Sequence, residues 1–494
     1  MSAQKDLIQD EIKKYVSNTD RDIYTVSNLP EEIVAVIFAY VSRSPKGFRD
    51  NIGVVINEEQ HGQERAAKFH EKWVLNYGHA SVAEHATVHI GIEKVSRLFS
   101  SILELSNEYL SFTEYSQRYQ KPVKGDFYVP KELNRNQSLL KEFVNLNNYL
   151  YDIYLEINDK LYYFLKRTVP VPEGADEKAH LRALEKIAFE DARYALSLAT
   201  YTNLGMTANA RAIEDALTKL LSSKYTEARK RAEEIKNEVR FSVPTLVKYA
   251  NENKYIKETG EELDRIAQSI SVPKSSGLIN QTHTIRLIDW TGKNSPNPEE
   301  SAVEKMVKAI LFEHSGLRFE EIEKETRNMN LETKLKVLKK TIEKLGKYDN
   351  PINVFRLVNY EAEFVISEAC WHQLLRHRKV NWVTQEPGVS NGITVPPNIE
   401  AAGAEELLRQ AALRSDRFYD KLTNENLSET ARYAVTNAHN RSVLGSFDLW
   451  ELYHLINLRM SEGAQWDIKN IIGTLAKEVG RYHPNLVAPA LRRL

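Results

Sequence analysis

Residues 369–380 read "ACWHQLLRHRKV" and place two arginines and a histidine in consecutive positions after a largely apolar run. Guanidinium groups are planar, forked donors that match phosphate and carboxylate oxygens, so Arg376 and Arg378 indicate an anionic ligand. If the run is helical, Arg376 faces away from His377 and Arg378, and the cluster can contact more than one ligand. Pairing with acids of a neighbouring domain is the alternative, and this stretch alone leaves both open.

The composition limits the ligands and the compartment. The chain has 494 residues with 67 Lys and Arg against 68 Asp and Glu, so nothing in it indicates a surface that coats nucleic acid. The single cysteine, Cys370, excludes an intrachain disulfide and a CxxC metal site and fits the reducing cytoplasm. The apolar stretch at 33–41 is too short to cross a bilayer, so no membrane association is expected.

An internal repeat organises the chain. "NLPEEIVAVIFAYV" from Asn28 is echoed by "NPEESAVEKMVKAILF" from Asn297, and "EDARYALSLATYTN" is echoed by "ETARYAVTNAHNRS". The matched pairs lie about 240 to 270 residues apart, a period of domain size rather than that of a solenoid. We therefore predict two domains, 1–274 and 275–494.

Each half is predicted to be an α+β unit that is mostly helical. Apolar residues at three- and four-residue spacing predict long helices in both halves. These helical runs are 133–167, 178–190, 206–240, 301–346 and 400–425. Alternating apolar residues predict strands at 87–95, 283–290 and 355–367.

The run "ISEACWHQLLRHR" resembles the signature of flavin-dependent thymidylate synthases, in which a strand leads into a helix that ends in RHR. In the second half, "TARYAVTNAHN" and "LYHLINLRMSEGAQWDIK" are similar to the family's ARxxLP and LR…AQWEIR segments. In the first half, "GHASVAEHATVHIGIEKVSRLFS" resembles the segment before RHR, and "SFTEYSQRY" resembles the substrate loop. "DARYALSLATYTNLGMTANAR" resembles the ARxxLP and NAR segments. The resemblance implies two tandem copies of the family fold, a mixed sheet with long helices.

The two halves resemble the family through different residues. The second half keeps RHR and the LR arginine, but its loop "NWVTQEPGV" lacks the family's Ser and Arg, and "FDLW" at 447–450 replaces NAR. The first half keeps the loop and NAR, but it has "ELSNE" at 104–108 in place of RHR and Leu220 at the LR position. The resemblance therefore implies one composite site made from both halves.

The resemblance assigns roles to the retained residues. The substrate-binding residues would be Gln373, Arg376, Arg432, Glu114, Ser116 and Arg118. The FAD-binding residues would be Arg376, His377, Arg378, Ser81, Glu114, Asn209 and Arg211. Arg459 would be the catalytic residue that polarises the pyrimidine. In the family, this arginine and the substrate loop come from the same chain. The composite site would therefore take the LR position of the first half, which is Leu220, and by this mapping Arg459 would lie outside it.

Two alternative sites rest on single residue types. His79, His85 and His89 lie at spacings that a metal site can use, but no fourth ligand is evident, so no metal is predicted. Cys370 is a candidate nucleophile, although a packed thiol on the apolar side of the helix fits the pattern better. The sequence has no GxGxxG after a strand and thus no indication of a Rossmann site.

The predicted function is methylation of dUMP or a related pyrimidine nucleotide, with FAD as cofactor and methylenetetrahydrofolate and NADPH as co-substrates. The alternative is a protein that has kept flavin or nucleotide binding for regulation or assembly, without turnover. Complementary retention of residues favours the enzyme, whereas Leu220 at the LR position favours the alternative.

Because the family is tetrameric, a chain with two copies of its fold is expected to form a homodimer. Light scattering on the purified protein should give twice the mass of one chain. A mass of one chain would contradict this expectation.

Overall fold

The computed structural model of this chain describes residues 12–40, 45, 47, 49–52, 80–270 and 284–492. His79 and most of the segment that joins the two halves lie outside these ranges. The chain divides into two compact units. The first comprises Met1–Ser116, Asp126–Arg135 and Ala199–Pro273, and the second comprises Gln117–Gly125, Asn136–Leu198 and Lys274–Leu494. Two segments from the first half of the sequence thus belong to the second unit.

Helices make up most of the described structure. The α-helices before residue 274 are α1 (Glu31–Tyr40), α2 (Arg97–Ser106), α3 (Gln137–Thr168), α4 (Glu177–Ala192), α5 (Ala210–Leu221), α6 (Thr226–Val239) and α7 (Lys254–Ile270). Those after it are α8 (Pro298–Ser315), α9 (Phe319–Arg327), α10 (Leu331–Ile342), α11 (Glu368–Leu374), α12 (Pro397–Ala401), α13 (Glu405–Asn424), α14 (Ser428–Ala431), α15 (Leu449–Arg459), α16 (Trp466–Gly480) and α17 (Pro484–Leu491). Short 3₁₀ helices lie at Ala80–His85, Lys131–Arg135, Arg193–Ala195, Asn353–Leu357 and Arg432–Ala434.

Each unit contains one antiparallel sheet. The strands are β1 (Thr87–Ser96), β2 (Ser111–Glu114), β3 (Tyr201–Asn209), β4 (Thr284–Trp290), β5 (Asn359–Ser367), β6 (Asn381–Thr384) and β7 (Asn440–Asp448). The strand orders are β1-β3-β2 in the first unit and β4-β5-β7-β6 in the second. The described ladders are all antiparallel, so the sheets are not mixed as the resemblance implied.

The two units repeat the same local design where a strand leads into a helix. Ser96 ends β1 and caps α2, and its hydroxyl donates to the buried carboxylate of Glu227 on α6 at 2.5 Å. Ser367 ends β5 and caps α11, and its hydroxyl donates to Asp467 on α16 at 2.6 Å. A serine cap satisfies an N–H of the first helical turn, and a buried carboxylate requires such partners. The predicted repeat is therefore present in three dimensions.

The return strands β3 and β7 are built alike as well. β3 buries alternate residues and ends at Asn209, whose side chain caps α5, just as Asp448 at the end of β7 caps α15. In β7, Gly445 faces Trp382 of β6, and a Cβ at this glycine would lie 2.6 Å from the indole ring. The indole therefore occupies the space that any larger residue at position 445 would need.

Segments from the two halves of the sequence pair within the second unit. Leu198 donates from its backbone N–H to the carbonyl of Val435 at 2.8 Å, and Asn437 donates to Leu196 at 2.8 Å. Residue 438 continues this pairing by donating to the carbonyl of Tyr194 at 3.0 Å. The two ARYA-like segments of the repeat thus contact each other directly.

The predicted elements differ from the structure mainly in their bounds. The continuous helical run at 206–240 is wrong at its start, because residues 201–209 form β3, and it is broken between α5 and α6. The run at 301–346 is divided among α8, α9 and α10. Among the residues that the structure describes, no helix has the length and apolar character needed to cross a membrane.

A buried histidine ties the last helix of the second unit to its sheet. His483, just before α17, lies with Nδ1 2.8 Å from the hydroxyl of Tyr360 and with Nε2 3.0 Å from the carbonyl of Thr291. Because a carbonyl can only accept, Nε2 carries the proton, and Nδ1 accepts from the tyrosine. Burial lowers the pKa of His483 to about 4, so the ring is neutral at physiological pH.

This histidine should make the protein less stable in mild acid. Below pH 6.5 the unfolded chain binds a proton that the folded ring accepts only near pH 4, so stability falls as the pH is lowered through this window. Between pH 7 and pH 5 the loss should be about 2 kcal/mol. In urea unfolding, His483→Gln should be less stable than wild type at pH 7 and should lose less stability at pH 5. The exposed His314→Gln is the control, and an equal pH dependence in wild type and His483→Gln would contradict this assignment.

Candidate functional site

The basic segment follows a short helix whose start is fixed by a serine. Ser367 caps α11 by accepting a hydrogen bond from the N–H three residues later at 2.9 Å. The helix ends before Arg376, earlier than predicted, so Arg376, His377 and Arg378 lie in the turns that follow it. His377 is buried, Arg376 is half-buried and Arg378 is exposed. The three side chains therefore differ in what they can contact.

His377 has both ring nitrogens bonded. Arg459 donates from Nε to Nε2 of His377 at 2.8 Å, and Nδ1 lies 2.9 Å from a carboxylate oxygen of Glu451. Because an arginine N–H can only donate, Nε2 is the acceptor and Nδ1 carries the proton. Burial and the charge of Arg459 lower the pKa of His377 well below its ordinary value. The ring is therefore a neutral link between a carboxylate and a guanidinium group.

Arg459 lies against the RHR segment of its own half. It donates from Nη2 to the backbone carbonyl of Gln373 at 2.9 Å, and its Nη1 makes no hydrogen bond to any residue that the structure describes. The mapping that placed Arg459 outside the site of Arg376 is therefore wrong for this chain. Arg459 thus lies beside the RHR segment although the first half has Leu220 at the LR position, and its catalytic role stays a prediction.

Arg118, Arg376 and Arg459 lie in the same region of the second unit. Arg459 bonds to His377, the neighbour of Arg376 in the chain. Arg118 comes from the loop of the first half and donates from Nη2 to the carbonyl of Gly463, four residues after Arg459, at 3.4 Å; its Nε donates to Glu190 at 2.6 Å. Burial, together with repulsion from Arg118 and Arg376, lowers the pKa of Arg459 to about 10. A group of cations in one region favours an anionic ligand.

The two ARYA arginines have different surroundings. Arg193 precedes Tyr194, whose hydroxyl accepts from Gln465, and Gln465 also accepts from Gln373 of α11, so the first ARYA segment lies on the side of the RHR segment. Arg432 instead donates to the carbonyl of Pro387, at 2.6 Å, in the loop of its own half. Arg193 therefore belongs to the region of Arg459, because residues 136–198 are part of the second unit. The substrate-binding role of Arg432 stays a prediction.

Buried amides line the same region. Gln465 accepts from Nε2 of Gln373 at 3.2 Å and donates to the hydroxyl of Tyr194 at 3.2 Å, which links α11 to the ARYA segment of the first half. Three buried amide atoms, Oε1 of Gln373, Nε2 of Gln117 and Oδ1 of Asn437, have no hydrogen-bond partner in the described part of the chain. Leaving such atoms unpaired costs roughly 1–3 kcal/mol each, so they indicate a polar ligand.

Comparison with known proteins identifies the family of this chain. The family described as thymidylate synthase complementing protein matches residues 24–245 and 286–485, one segment in each half. The chain belongs to this family. The resemblance to flavin-dependent thymidylate synthases is confirmed at that level.

Individual relatives fall into two groups by coverage. A UPF0159 protein of Thermoplasma acidophilum is 24% identical over 483 residues, which cover 91% of this chain and 93% of that protein. A UPF0159 protein of Chlamydia muridarum is 22% identical over 503 residues, 96% of this chain and 93% of that protein. A flavin-dependent thymidylate synthase of Clostridium tetani is 28% identical over 225 residues, 45% of this chain and 82% of that protein. The duplicated arrangement is thus matched along its whole length by the UPF0159 relatives.

Two substrate-binding residues predicted from the thymidylate synthase complementing protein family lie in the first unit. Glu114 forms a buried ion pair with Arg97 at 2.7 Å and accepts from the hydroxyl of Thr202 at 3.0 Å. Ser116 is half-buried at the end of the loop. Their roles towards a ligand stay predictions.

The predicted flavin contacts of the first half also lie in the first unit. Ser81 is exposed on a 3₁₀ helix, and Asn209 is engaged as the cap of α5. Arg211 is exposed and forms an ion pair with Glu84 at 2.5 Å. The flavin roles of these three residues stay predictions.

The first unit lacks the basic residues at the equivalent positions. Counted from the two capping serines, Leu105 and Ser106 stand where the second unit has Arg376 and His377. Counted from the caps of α5 and α15, the buried Leu220 stands where the second unit has Arg459. Arginine is thus present at these two positions, 376 and 459, in the second unit, and leucine stands at both equivalent positions in the first.

The metal and nucleophile alternatives can be tested against the structure. His377, Glu451 and His454 form a group that could hold a metal ion, but both ring nitrogens of His377 are already bonded, which leaves no lone pair for a metal. His89 bonds to the hydroxyl of Thr207 at 2.8 Å. Cys370 is fully buried, and burial raises the pKa of its thiol well above the ordinary value, so it is a packed thiol.

Two important residues were missed in the sequence. Glu451 follows Asp448 by three residues, and its backbone N–H donates to the side-chain carboxylate of Asp448 at 2.7 Å, so its spacing is typical of a capping box. The carboxylate of Glu451, however, accepts a hydrogen bond from Nδ1 of His377. Gln465 is similar to a residue of the AQWEIR segment and received no role. Only the resemblance to that segment could have indicated Gln465.

The crowded arginines should make the folded protein respond to anions. Sulfate, added at constant ionic strength, should raise the melting temperature by about 1–2 °C for each 1 kcal/mol by which its binding stabilises the folded protein. Arg376→Gln should show a smaller response than wild type, because it removes one of the grouped cations. The exposed Arg417→Gln serves as the control. An unchanged sulfate response in Arg376→Gln would show that these arginines do not bind the anion.

Proposed function

We propose that the chain methylates dUMP or a related pyrimidine nucleotide with methylenetetrahydrofolate, using FAD and NADPH. The observation that carries the proposal is the grouping of Arg459 with Arg376 and Arg118 in one unit. In the flavin-dependent thymidylate synthases that the chain resembles, these are the LR arginine, the first RHR arginine and the loop arginine. Their grouping supports a site that the separate sequence segments imply.

The proposed nucleotide site divides into a charged part and an amide part. Arg118 and Arg376 are the groups that would bind the phosphate through charge-assisted hydrogen bonds. Nη1 of Arg459 is a donor and Oε1 of Gln373 is an acceptor, and neither is used by described protein groups. A uracil ring alternates carbonyl oxygens with an N–H, so it can satisfy a donor and an acceptor that lie side by side.

Arg459 is suited to stabilise negative charge on the pyrimidine. Its protein partners are a neutral imidazole and a backbone carbonyl, which orient the guanidinium group without neutralising it. Even with its pKa lowered to about 10, Arg459 keeps its proton at pH 7. A preorganised cation in a partly buried site stabilises developing negative charge more strongly than it would in water.

The RHR segment fits the diphosphate of FAD through its two arginines. Arg378 is exposed and Arg376 is half-buried, so both can reach an anionic group. His377 has no ring nitrogen left for a hydrogen bond to the flavin. When bound, FAD supplies the hydride chemistry that the protein groups cannot. The chain's own part is to bind, orient and polarise the nucleotide.

The first test is the absorbance spectrum of purified protein with FAD, followed by titration with dUMP and an assay for methylated product. Wild type should bind FAD and change its spectrum with dUMP. Arg459→Lys should keep the FAD spectrum but bind dUMP about ten- to hundredfold more weakly, because an ammonium group cannot hold both existing partners and the nucleotide.

The exposed Arg417→Gln should behave as wild type in every step. If FAD and dUMP bind but no methylated nucleotide forms with methylenetetrahydrofolate and NADPH, the protein is a ligand-binding relative without turnover. If folded protein binds neither ligand, the proposal is wrong.

A further inference from the structure

The environment of His377 contains a carboxylate that the proposed chemistry does not use. Glu451 lies in the first turn of α15, is 2% exposed and approaches Nδ1 of His377 at 2.9 Å. Arg459 lies in the last turn of the same helix and contacts the other ring nitrogen at 2.8 Å. The imidazole therefore spans the distance between two residues that are two helical turns apart.

The direction of each hydrogen bond in this chain is fixed by chemistry. Arg459 is a donor under all ordinary conditions, so Nε2 of His377 must keep its lone pair. The proton of the neutral ring then lies on Nδ1, where Glu451 accepts it. Without an acceptor at position 451, the ring could place its proton on Nε2 and turn a donor towards Arg459. Two donors would then face each other.

The same contacts orient the guanidinium group. With Nε bound to His377 and Nη2 bound to the carbonyl of Gln373, the plane of Arg459 is set by two hydrogen bonds on one side. Nη1 then points away from both partners. Loss of the His377 contact would leave one hydrogen bond, about which the group can rotate.

The surrounding charges leave Glu451 as the acceptor in this arrangement. The charged and titratable groups that act on the pair, besides each other, are Arg459, His454, Asp448, Arg356 and Lys379. Burial raises the pKa of Glu451 to about 7, and its carbonyl oxygen can accept a hydrogen bond in either protonation state. Its contribution is thus that of an acceptor rather than that of a fixed charge.

We infer that Glu451 is a positioning residue, which holds His377 as the Nδ1–H tautomer and through it orients Arg459 towards the nucleotide. The inference rests on the proposed function for the role of Arg459, and the tautomer itself is independent of that function. Glu451 contacts neither substrate nor cofactor in this scheme.

The tautomer can be measured without any ligand. Protein labelled with ¹⁵N in its 13 histidines is examined by solid-state ¹⁵N NMR at pH 8, with His377→Gln used to assign the signals of His377. The expected result is a neutral ring with a protonated Nδ1 and an unprotonated Nε2. A proton on Nε2, or a doubly protonated ring, would overturn the inference.

The effect on the site is measured with two variants of the same residue. Glu451→Gln keeps an acceptor, so its dUMP affinity should stay within about threefold of wild type. Glu451→Leu removes the acceptor and should weaken dUMP binding about tenfold to hundredfold while FAD binding is retained, the range typical when a residue that orients a ligand-binding group is lost. The exposed Glu462→Gln and Glu462→Leu are the matched controls.

The outcomes separate this inference from the proposed function. If Glu451→Leu binds dUMP as well as Glu462→Leu does, or if Glu451→Gln loses as much as Glu451→Leu, the positioning role is contradicted. If wild type binds no nucleotide, the proposed function fails, and the ¹⁵N spectrum still decides whether the Glu451–His377–Arg459 chain exists as described.

Discussion

The central constraint in the second unit is a half-buried guanidinium group that must be satisfied without being neutralised. Arg459 meets it by using two uncharged acceptors, the ring of His377 and the carbonyl of Gln373, while the carboxylate of Glu451 stands one hydrogen bond further away. A direct salt bridge would also satisfy the arginine, but it would cancel the positive charge that the present arrangement leaves in place.

Duplication has allowed the two copies to specialise. Both units keep the serine cap with its buried carboxylate, which is a folding feature of the strand-to-helix junction. Only the second unit keeps the arginines, and the first has apolar residues such as Leu220 at an equivalent position. The serine cap and its carboxylate, which serve folding, are thus kept in both copies, while the arginines are kept in one.

Much of this organisation is visible in the sequence. The repeat, the basic segment after α11 and the strands that lead into helices follow from local patterns, and the family follows from short motifs. The placement of Arg459 does not follow from the sequence, because it depends on which face of α15 packs against which turn. The spacing of residues in "LYHLINLRM" does not indicate that packing. Glu451 was hidden because its spacing from Asp448 already has a sufficient local explanation as a helix cap. The strand at 201–209 was missed because its alternation runs directly into the helical periodicity of α5.

The backbone pairing between residues near 196 and residues near 437 has a consequence for any attempt to divide the chain. Residues 136–198 of the first half belong to the second unit, so a cut near residue 274 would separate that unit from a long helix and from these backbone hydrogen bonds. The second half of the sequence therefore does not contain the whole second unit, and a fragment that does must carry residues from both halves.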